Sequence, residues 1–321
     1  MENMTEKILF LEPEFMERPW GGERLRTEWG YDIKGNHIGE CWAVSAHPGG
    51  DCAVAEGKYR GEKLSKLWKE HRELFTGSSS GDGSGDDRFP LLVKIIDAKD
   101  DLSIQVHPDD LYAKEHENGS FGKTECWYIL NAPEGASLIV GHNAKNREEL
   151  VSMINGGRWS DLIREIPVKT GDFILIPPGT VHAIKGGIEL LEIQESSDIT
   201  YRLYDYDRIV DGKKRELHIE KSIDVITVPA PSAEDSVKNA SNLPKEQLNE
   251  LVDCDCFKVW KLDIEKPYRL KKERDLMIVS VIEGSGAVEG HPLKKGDHFI
   301  LTNAVTEAEV TGEMTLIVSS C

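Results

Sequence analysis

Gln105 and His107 stand two apart in the run SIQVHPDD. In an extended strand, residues i and i+2 point to one face, so a carboxamide oxygen and an imidazole can converge on a single ion. Glu125, at the start of ECWYIL, offers an anionic oxygen after an insertion, PDDLYAKEHENGSFGKT, that reads as helical and then turn-like. His182 closes the run GDFILIPPGTVH. There Gly171 and Asp172 can turn the chain into a strand, and the bend at Pro177, Pro178 and Gly179 brings the next strand's imidazole inward. Two imidazoles, one carboxylate and one amide make a mixed nitrogen and oxygen set suited to zinc, with room for water or substrate.

Each of these residues has a plainer reading. A lone histidine in a β-protein is more often a satisfied or exposed residue than a ligand, and His71, His116 and His218 lie in charged, solvated stretches. The joint pattern sets His107 and His182 apart. Gln105 stays open between ligand and substrate contact, because an amide oxygen is a poor zinc donor.

The elements that must position these groups are short strands punctuated by Gly, Pro and Asn. They run over 89–98, 102–107, 126–130, 137–141, 172–177 and 188–194, and their spacing suggests a β-sandwich or barrel. Helical patterns are accessories: one over 62–75, with Leu64, Leu67, Trp68, Leu74 and Phe75 on one face, and one over 146–166, broken at Gly156 and Gly157. The segment GSSSGDGSGDD at 77–87 has little to bury and reads as a mobile surface loop within one domain. The polar, proline-punctuated stretch 228–250 precedes new strand patterns at 257–263, 276–283 and 298–301. It divides the chain near residue 245, into 1–245 and a smaller 246–321.

An internal echo links the two parts. Lys169, Thr170, Gly171 and Asp172 before FILIP resemble Lys294, Lys295, Gly296 and Asp297 before HFIL. On that offset His182 corresponds to Glu307, and no His-x-His or Gln-x-His pair precedes it. The second unit is therefore expected to share the architecture and to bind no metal.

Composition narrows the class. The 321 residues carry 39 Lys and Arg against 57 Asp and Glu, a formal charge of −18, which on average repels a nucleic-acid backbone. An apolar fraction of 39% with seven Trp fits a globular protein with a sizeable core. The opening MENMTEKILFLEPEF has no signal-like apolar stretch and no run is long enough to span a membrane, so a soluble cytoplasmic protein is expected. Six cysteines without a CxxC pair read as buried free thiols.

The run GDFILIPPGTVH resembles the second signature of the cupins, double-stranded β-helix barrels that usually hold a divalent metal; the family's usual Asn is replaced by Gly186. The wider set RPWGG at 18–22, GECWAVSAHP at 39–48, FPLLVKIIDAKDDLSIQVHPDD at 89–110, GKTECWYIL at 122–130 and ITYRLYDYDR at 199–208 resembles type I mannose-6-phosphate isomerase in its short bacterial form, from about residue 8 to the C-terminus. The resemblance implies a mainly β fold: two cupin-type double-stranded β-helix (jelly-roll) barrels with accessory helices, the first catalytic and the second metal-free. It implies zinc-dependent interconversion of D-mannose 6-phosphate and D-fructose 6-phosphate through a cis-enediol. It places one zinc per chain on Gln105, His107, Glu125 and His182, a functional arginine on Arg202 and an acidic residue near the sugar on Glu192. Ser103, Lys94 and Lys123 match positions around the substrate or its phosphate.

The chemistry of such a reaction agrees with these residue types. Moving a carbonyl between C1 and C2 removes a proton beside it and leaves an enediolate. A metal and an always-charged guanidinium can hold that charge, while a carboxylate, imidazole or water within about 3 Å serves as base. A dianionic sugar phosphate also needs a local cationic site, for which Lys94, Lys123 and Arg202 are candidates. The plainer readings are a snorkelling side chain for Lys94 and a structural ion pair for Arg202, beside Asp205 and Asp207. Trp20, Trp42 and Trp127 have faces suited to a pyranose, and core packing is the rival for at least two of them. An iron-dependent oxygenase or a sugar-binding regulatory cupin are the alternatives. The first calls for no phosphate site, and the second needs neither a full ligand set nor Arg202.

Overall fold

The computed structural model describes residues 7–76, 88–210, 212–232 and 236–321; the predicted loop at 77–87 lies outside them. The described residues are mainly β, in three principal sheets. A seven-stranded sheet runs, from edge to edge, Val237–Asn239, Asp172–Ile176, Glu125–Asn131, Glu189–Glu195, Leu91–Asp97, Ile38–Val44 and Glu14–Gly22. A five-stranded sheet runs Ile163–Pro167, Ser137–His142, His182–Ala183, Ile104–Val106 and Tyr201–Tyr204. All the pairings are antiparallel.

Side-chain alternation explains how these sheets stack. In Leu91–Asp97 and Glu189–Glu195 every residue is buried, which a strand achieves only when both faces of its sheet are covered. Ile96, Trp127, Ile129, Ile174 and Leu190 point to one face and pack against Leu138, Val140 and Ile166 of the five-stranded sheet. Val93, Ile95, Cys126, Tyr128, Leu191 and Ile193 point to the other and meet Leu9, Ile278, Ile300 and Ile317 of the third sheet. Burying one such aliphatic side chain is worth about 1.5–3 kcal/mol, so the period-2 pattern holds both interfaces in register.

The third sheet has nine strands, most from the C-terminal part, and includes Ile8–Glu12, whose residues Ile8, Leu9 and Phe10 pair with Leu301, Ile300 and Phe299. Its alternate residues, among them Phe10, Val279, Phe299 and Leu316, enclose a separate core. The echo between the two parts is structural. Lys169 N–H donates to Asp172 Oδ2 at 2.9 Å and Lys294 N–H to Asp297 Oδ2 at 2.8 Å, and Gly171 and Gly296 sit at φ +85° and +93°. A residue with a Cβ is strained at such φ, which accounts for glycine in both copies.

Helices cover the outer faces. Leu64–Glu70 buries Leu64, Leu67 and Trp68 against the inter-sheet core, and the short 3-10 turn Arg72–Leu74 completes the predicted face. Arg147–Asn155 and Trp159–Leu162 flank the Gly156–Gly157 break, but the helical pattern over 146–166 is corrected at its end. Ile163–Pro167 is a strand, because Leu138, Ile139 and His142 offer it a ladder. Of the six free cysteines, Cys41, Cys52 and Cys126 are buried and Cys254, Cys256 and Cys321 half-buried. No helix among the described residues is long and apolar enough to cross a membrane.

His298 lies on the inter-sheet face of its strand, bonded to Ser280 Oγ at 2.9 Å and Tyr31 Oη at 3.1 Å. Burial pushes its imidazole down to about 3, so it stays neutral in the fold while the unfolded chain takes up a proton below about 6.5. Its contribution is present above that pH and is lost as pH falls towards 3. In chemical denaturation between pH 4 and 6, His298→Gln is expected to have a stability slope shallower by about 1.4 kcal/mol per pH unit; an unchanged slope contradicts this.

Candidate metal centre and sugar-phosphate site

Two rungs of residues, one on each sheet, build the site. Across the five-stranded sheet, Val140 pairs with His182, His182 with Gln105 and Gln105 with Arg202. The neighbours Val181, Ala183, Ile104, Val106, Tyr201 and Leu203 point the opposite way, into the core under the helices. Across the seven-stranded sheet, Trp127 pairs with Glu192, Glu192 with Lys94 and Lys94 with Trp42. Gln105 and Arg202 from the first rung and Trp42, Lys94 and Glu192 from the second line one cavity of about 470 Å³, which Trp20, Ser103 and Lys123 also border.

Behind Gln105 and Lys123, which touch them, His107, Glu125 and His182 bring their ligand atoms within 4.8 Å of one another, all buried. Glu125 Oε2 is 3.4 Å from His107 Nε2, and Oε1 is 3.3 Å from His182 Nε2. The far ring nitrogens are tied to backbone: His107 Nδ1 to the Ile199 carbonyl at 2.7 Å, and His182 Nδ1 to the Thr180 carbonyl at 2.8 Å. A carbonyl only accepts, so each Nδ1 carries the proton and each Nε2 turns its lone pair inward, the tautomer a metal needs. The carboxamide of Gln105 lies 3.3 Å from His182 Nε2, and a half-turn of its head presents oxygen or nitrogen at that point.

The corner carrying His182 is held by the strand it faces, since Gly179 N–H donates to the carbonyl of His107 at 2.9 Å. Gly186, where cupins usually carry Asn, has no room for a side chain: a Cβ would come within 2.8 Å of the Lys99 carbonyl. The insertion after His107 forms the helix Asp110–His116, capped by Asp109, whose side chain accepts the Tyr112 N–H. Asp110 then takes Gly122 N–H at 2.7 Å, returning the chain to deliver Lys123.

Electrostatics explain how an anion survives here. Burial alone would raise the Glu125 carboxyl, but the Lys123 ammonium 2.7 Å from Oε2 holds it well below the usual carboxylate range. Burial, aided by Lys123, pushes His107 down to about 3, and burial likewise lowers His182, so both imidazoles are neutral donors at pH 7. Among the described residues Lys123 is the one donor close to the carboxylate, at Oε2, while Oε1 faces only the unprotonated His182 Nε2 at 3.3 Å. A fully buried carboxylate with one oxygen lacking a donor, between two lone pairs, fits a divalent cation.

Lys94 and Glu192 form a buried ion pair at 2.9 Å, and Trp127 Nε1–H donates to the other Glu192 oxygen at 3.0 Å. Lys123 reaches Glu192 at 3.9 Å and so touches both the cluster and this pair. Arg202 is half-buried and makes no ion pair among the described residues; Asp205 is taken in a fork by Arg215, at 2.7 and 2.6 Å. The Arg202 backbone is clamped by His218, whose Nδ1 accepts its N–H and whose own N–H donates to its carbonyl. His218, set aside in the sequence as solvated, is thus half-buried beside the site. Trp127 is fully buried and Trp20 is 4% exposed, so both pack the core while Trp20 also borders the cavity.

The cavity's outer cations, Arg18 and Arg215, did not stand out in the sequence. Arg18 grips Glu40 through Nε at 3.1 Å and Nη2 at 2.9 Å, and Trp42 Nε1–H adds a bond at 2.7 Å. Both lie in quoted motifs, RPWGG and GECWAV, and the alternation that puts Glu40 and Trp42 on one face was the available signal. Five cationic side chains against four acidic ones line the cavity, locally reversing the sign of a chain of charge −18.

Comparison with known proteins places this geometry. The model of the phosphomannose isomerase type I catalytic domain matches residues 8–130, and that of the mannose-6-phosphate isomerase cupin domain matches residues 247–321. The chain is 47% identical to the mannose-6-phosphate isomerase ManA of Bacillus subtilis (strain 168), over 98% of this chain and 99% of that protein. It is similar to a crystal structure of the mannose 6-phosphate isomerase from Bacillus subtilis, at TM-score 0.88 and 44% identity, covering 98% of this chain and 100% of that one. A mannose 6-phosphate isomerase bound with zinc and yttrium shares the fold, at TM-score 0.74 and 16% identity over 98% of this chain and 99% of that one.

The buried ion pair yields a stability prediction. Glu192→Ala leaves the Lys94 ammonium, 8% exposed, without its nearest anion, and is expected to cost roughly 3 kcal/mol in urea denaturation. Replacing both residues by Met is expected to recover most of that loss. A double variant as unstable as the single one would place the cost elsewhere.

Proposed function

From the premise that the chain belongs to the type I mannose-6-phosphate isomerase family, we propose that it interconverts D-mannose 6-phosphate and D-fructose 6-phosphate as a zinc enzyme, through a cis-enediol. The observation that carries the reading is the buried His107–Glu125–His182 cluster, with both Nε2 lone pairs turned inward, in contact with Gln105 and Lys123 of a cationic cavity. These three residues, with the oxygen of Gln105, would hold one zinc ion. When bound, zinc supplies a Lewis acid that polarises the sugar's carbonyl and the hydroxyl beside it. The zinc-bound relative of the same fold supports that choice of metal.

The chain's own residues account for the remaining requirements. The reaction moves one proton from C2 of the aldose to C1 of the ketose and another from O2 to O1, without net oxidation. Arg202, on the same rung as Gln105, brings a permanent positive charge to the side of the cavity where the enediolate charge develops. Glu192, anchored by Lys94 and Trp127, and Lys123, beside both carboxylates, are the groups placed to hold or pass the proton. Ser103 and Trp20 border the sugar, and Lys94 and Lys123, with Arg18 and Arg215 further out, offset the phosphate's charge. In this reading catalysis belongs to residues 1–245, and 246–321 forms a smaller cupin-like barrel without metal. A soluble cytoplasmic setting suits a sugar-phosphate substrate.

Two measurements test the proposal. Chelation to verified absence of zinc is expected to reduce fructose 6-phosphate formation, followed in a coupled assay, to background, and added zinc to restore it. Full turnover by the metal-free protein contradicts the metal mechanism. Arg202→Ala is expected to lower kcat by about 10²–10³-fold with zinc content unchanged, whereas wild-type turnover would make Arg202 a structural residue.

A further inference from the structure

The strand Tyr201–Tyr204 is an edge of the five-stranded sheet, with Ile104–Val106 as its one neighbour there. Even that ladder is irregular at this point, its register shifting between Arg202 and Tyr204. An edge N–H and carbonyl left to water hold a strand, and the side chain it carries, only loosely. At Arg202 a single residue stands in for the missing strand. His218 Nδ1 accepts the Arg202 N–H at 3.1 Å, and the His218 N–H donates to the Arg202 carbonyl at 2.8 Å. A facing residue in an antiparallel sheet would make the same two bonds.

The other end of the arginine is held by the same segment. Arg202 Nη1 donates to the Glu216 carbonyl at 2.9 Å, the one acceptor its guanidinium meets among the described residues, and Nε has none. Residues 216 and 218 thus bracket Arg202, while Leu217 between them is exposed. The bracket is itself anchored: the His218 carbonyl accepts the N–H and the hydroxyl of Ser222, each at 2.8 Å, from the helix Ile219–Val225. On its other side Arg215 is forked onto Asp205.

A backbone N–H only donates, so the clamp needs His218 neutral, with its ring proton on Nε2. Burial, and after it the Arg202 charge, lowers His218 from the usual histidine range; Lys221 acts in the same direction, and Glu216 and Glu117 oppose it. The Tyr201 ring lies against the imidazole, 6.1 Å between centroids. His218 does not line the substrate cavity, whereas Arg202 does. We infer that His218 is a positioning residue for the isomerase reaction, completing the sheet edge at Arg202 and so setting where the guanidinium stands. The inference rests on the proposed role of Arg202 at the enediolate charge.

Two variants of similar shape separate the hydrogen bond from the packing of the ring. His218→Leu puts a methyl where Nδ1 stands, and His218→Asn can put an amide oxygen there. At equal zinc content, His218→Leu is expected to lower kcat roughly tenfold with KM within about twofold of wild type, and His218→Asn to bring kcat back to within about threefold. Hydrogen exchange at the Arg202 amide, resolved by fragmentation mass spectrometry, is expected to be faster in His218→Leu and slow again in His218→Asn. Exchange needs no turnover, so an inactive wild-type protein would count against the proposed function while the amide still reports on the clamp. Wild-type kcat in His218→Leu, equal impairment of the two variants, or exchange at Arg202 that His218→Leu leaves unchanged overturns the inference.

Discussion

The Glu125 carboxylate is fully buried and held well below the usual carboxylate range, and much of the structure around it follows from making that tolerable. An isolated buried carboxylate would protonate instead. Here the Lys123 ammonium at 2.7 Å offsets the charge, while two imidazoles turn unprotonated nitrogens towards the carboxylate, an arrangement of three donors that favours a cation among them. That orientation depends in turn on two backbone carbonyls, Ile199 and Thr180, which take the Nδ1 protons. Each partner compensates for another, so the group is set to receive a cation before one arrives.

The seven-stranded sheet is the wall on which this depends. With both faces covered, its central strands hold Lys94, Glu192 and Trp127 on one side and pack Val93, Ile193 and Cys126 on the other. A one-residue slip in register would exchange these sets, placing charges in the inter-sheet core and aliphatic groups in the cavity. The packing on the back of the sheet thereby fixes the chemistry on its front.

The same wall separates two cavities of different character. The smaller is slightly cationic, through Arg18, Lys94, Lys123, Arg202 and Arg215, within a strongly acidic chain. The larger mixes signs with an excess of carboxylates. Charge sorted in this way favours an anion on one face and disfavours it on the other.

The strands, the helix over 62–75, the Gly-Asp turn repeated at 171 and 296, and the donors His107, Glu125 and His182 were legible in the sequence. Each is a local statement: period-2 burial, a glycine at positive φ, donor types at strand ends. The strand Ile163–Pro167 was not legible, because its conformation is imposed by the ladder with Ser137–His142 rather than by its own pattern. Nor were the Arg18–Glu40 fork, the freeing of Arg202 by the Arg215–Asp205 pair, or the place of Ile8–Glu12 beside His298–Leu301. The sequence by itself determined which residues could ligate a metal and which faces had to be buried, since side-chain chemistry and strand periodicity are local. Only the tertiary structure decided which cations stay unpaired around the site and which termini share a sheet, because charge pairing and strand order depend on distances between segments far apart in the chain.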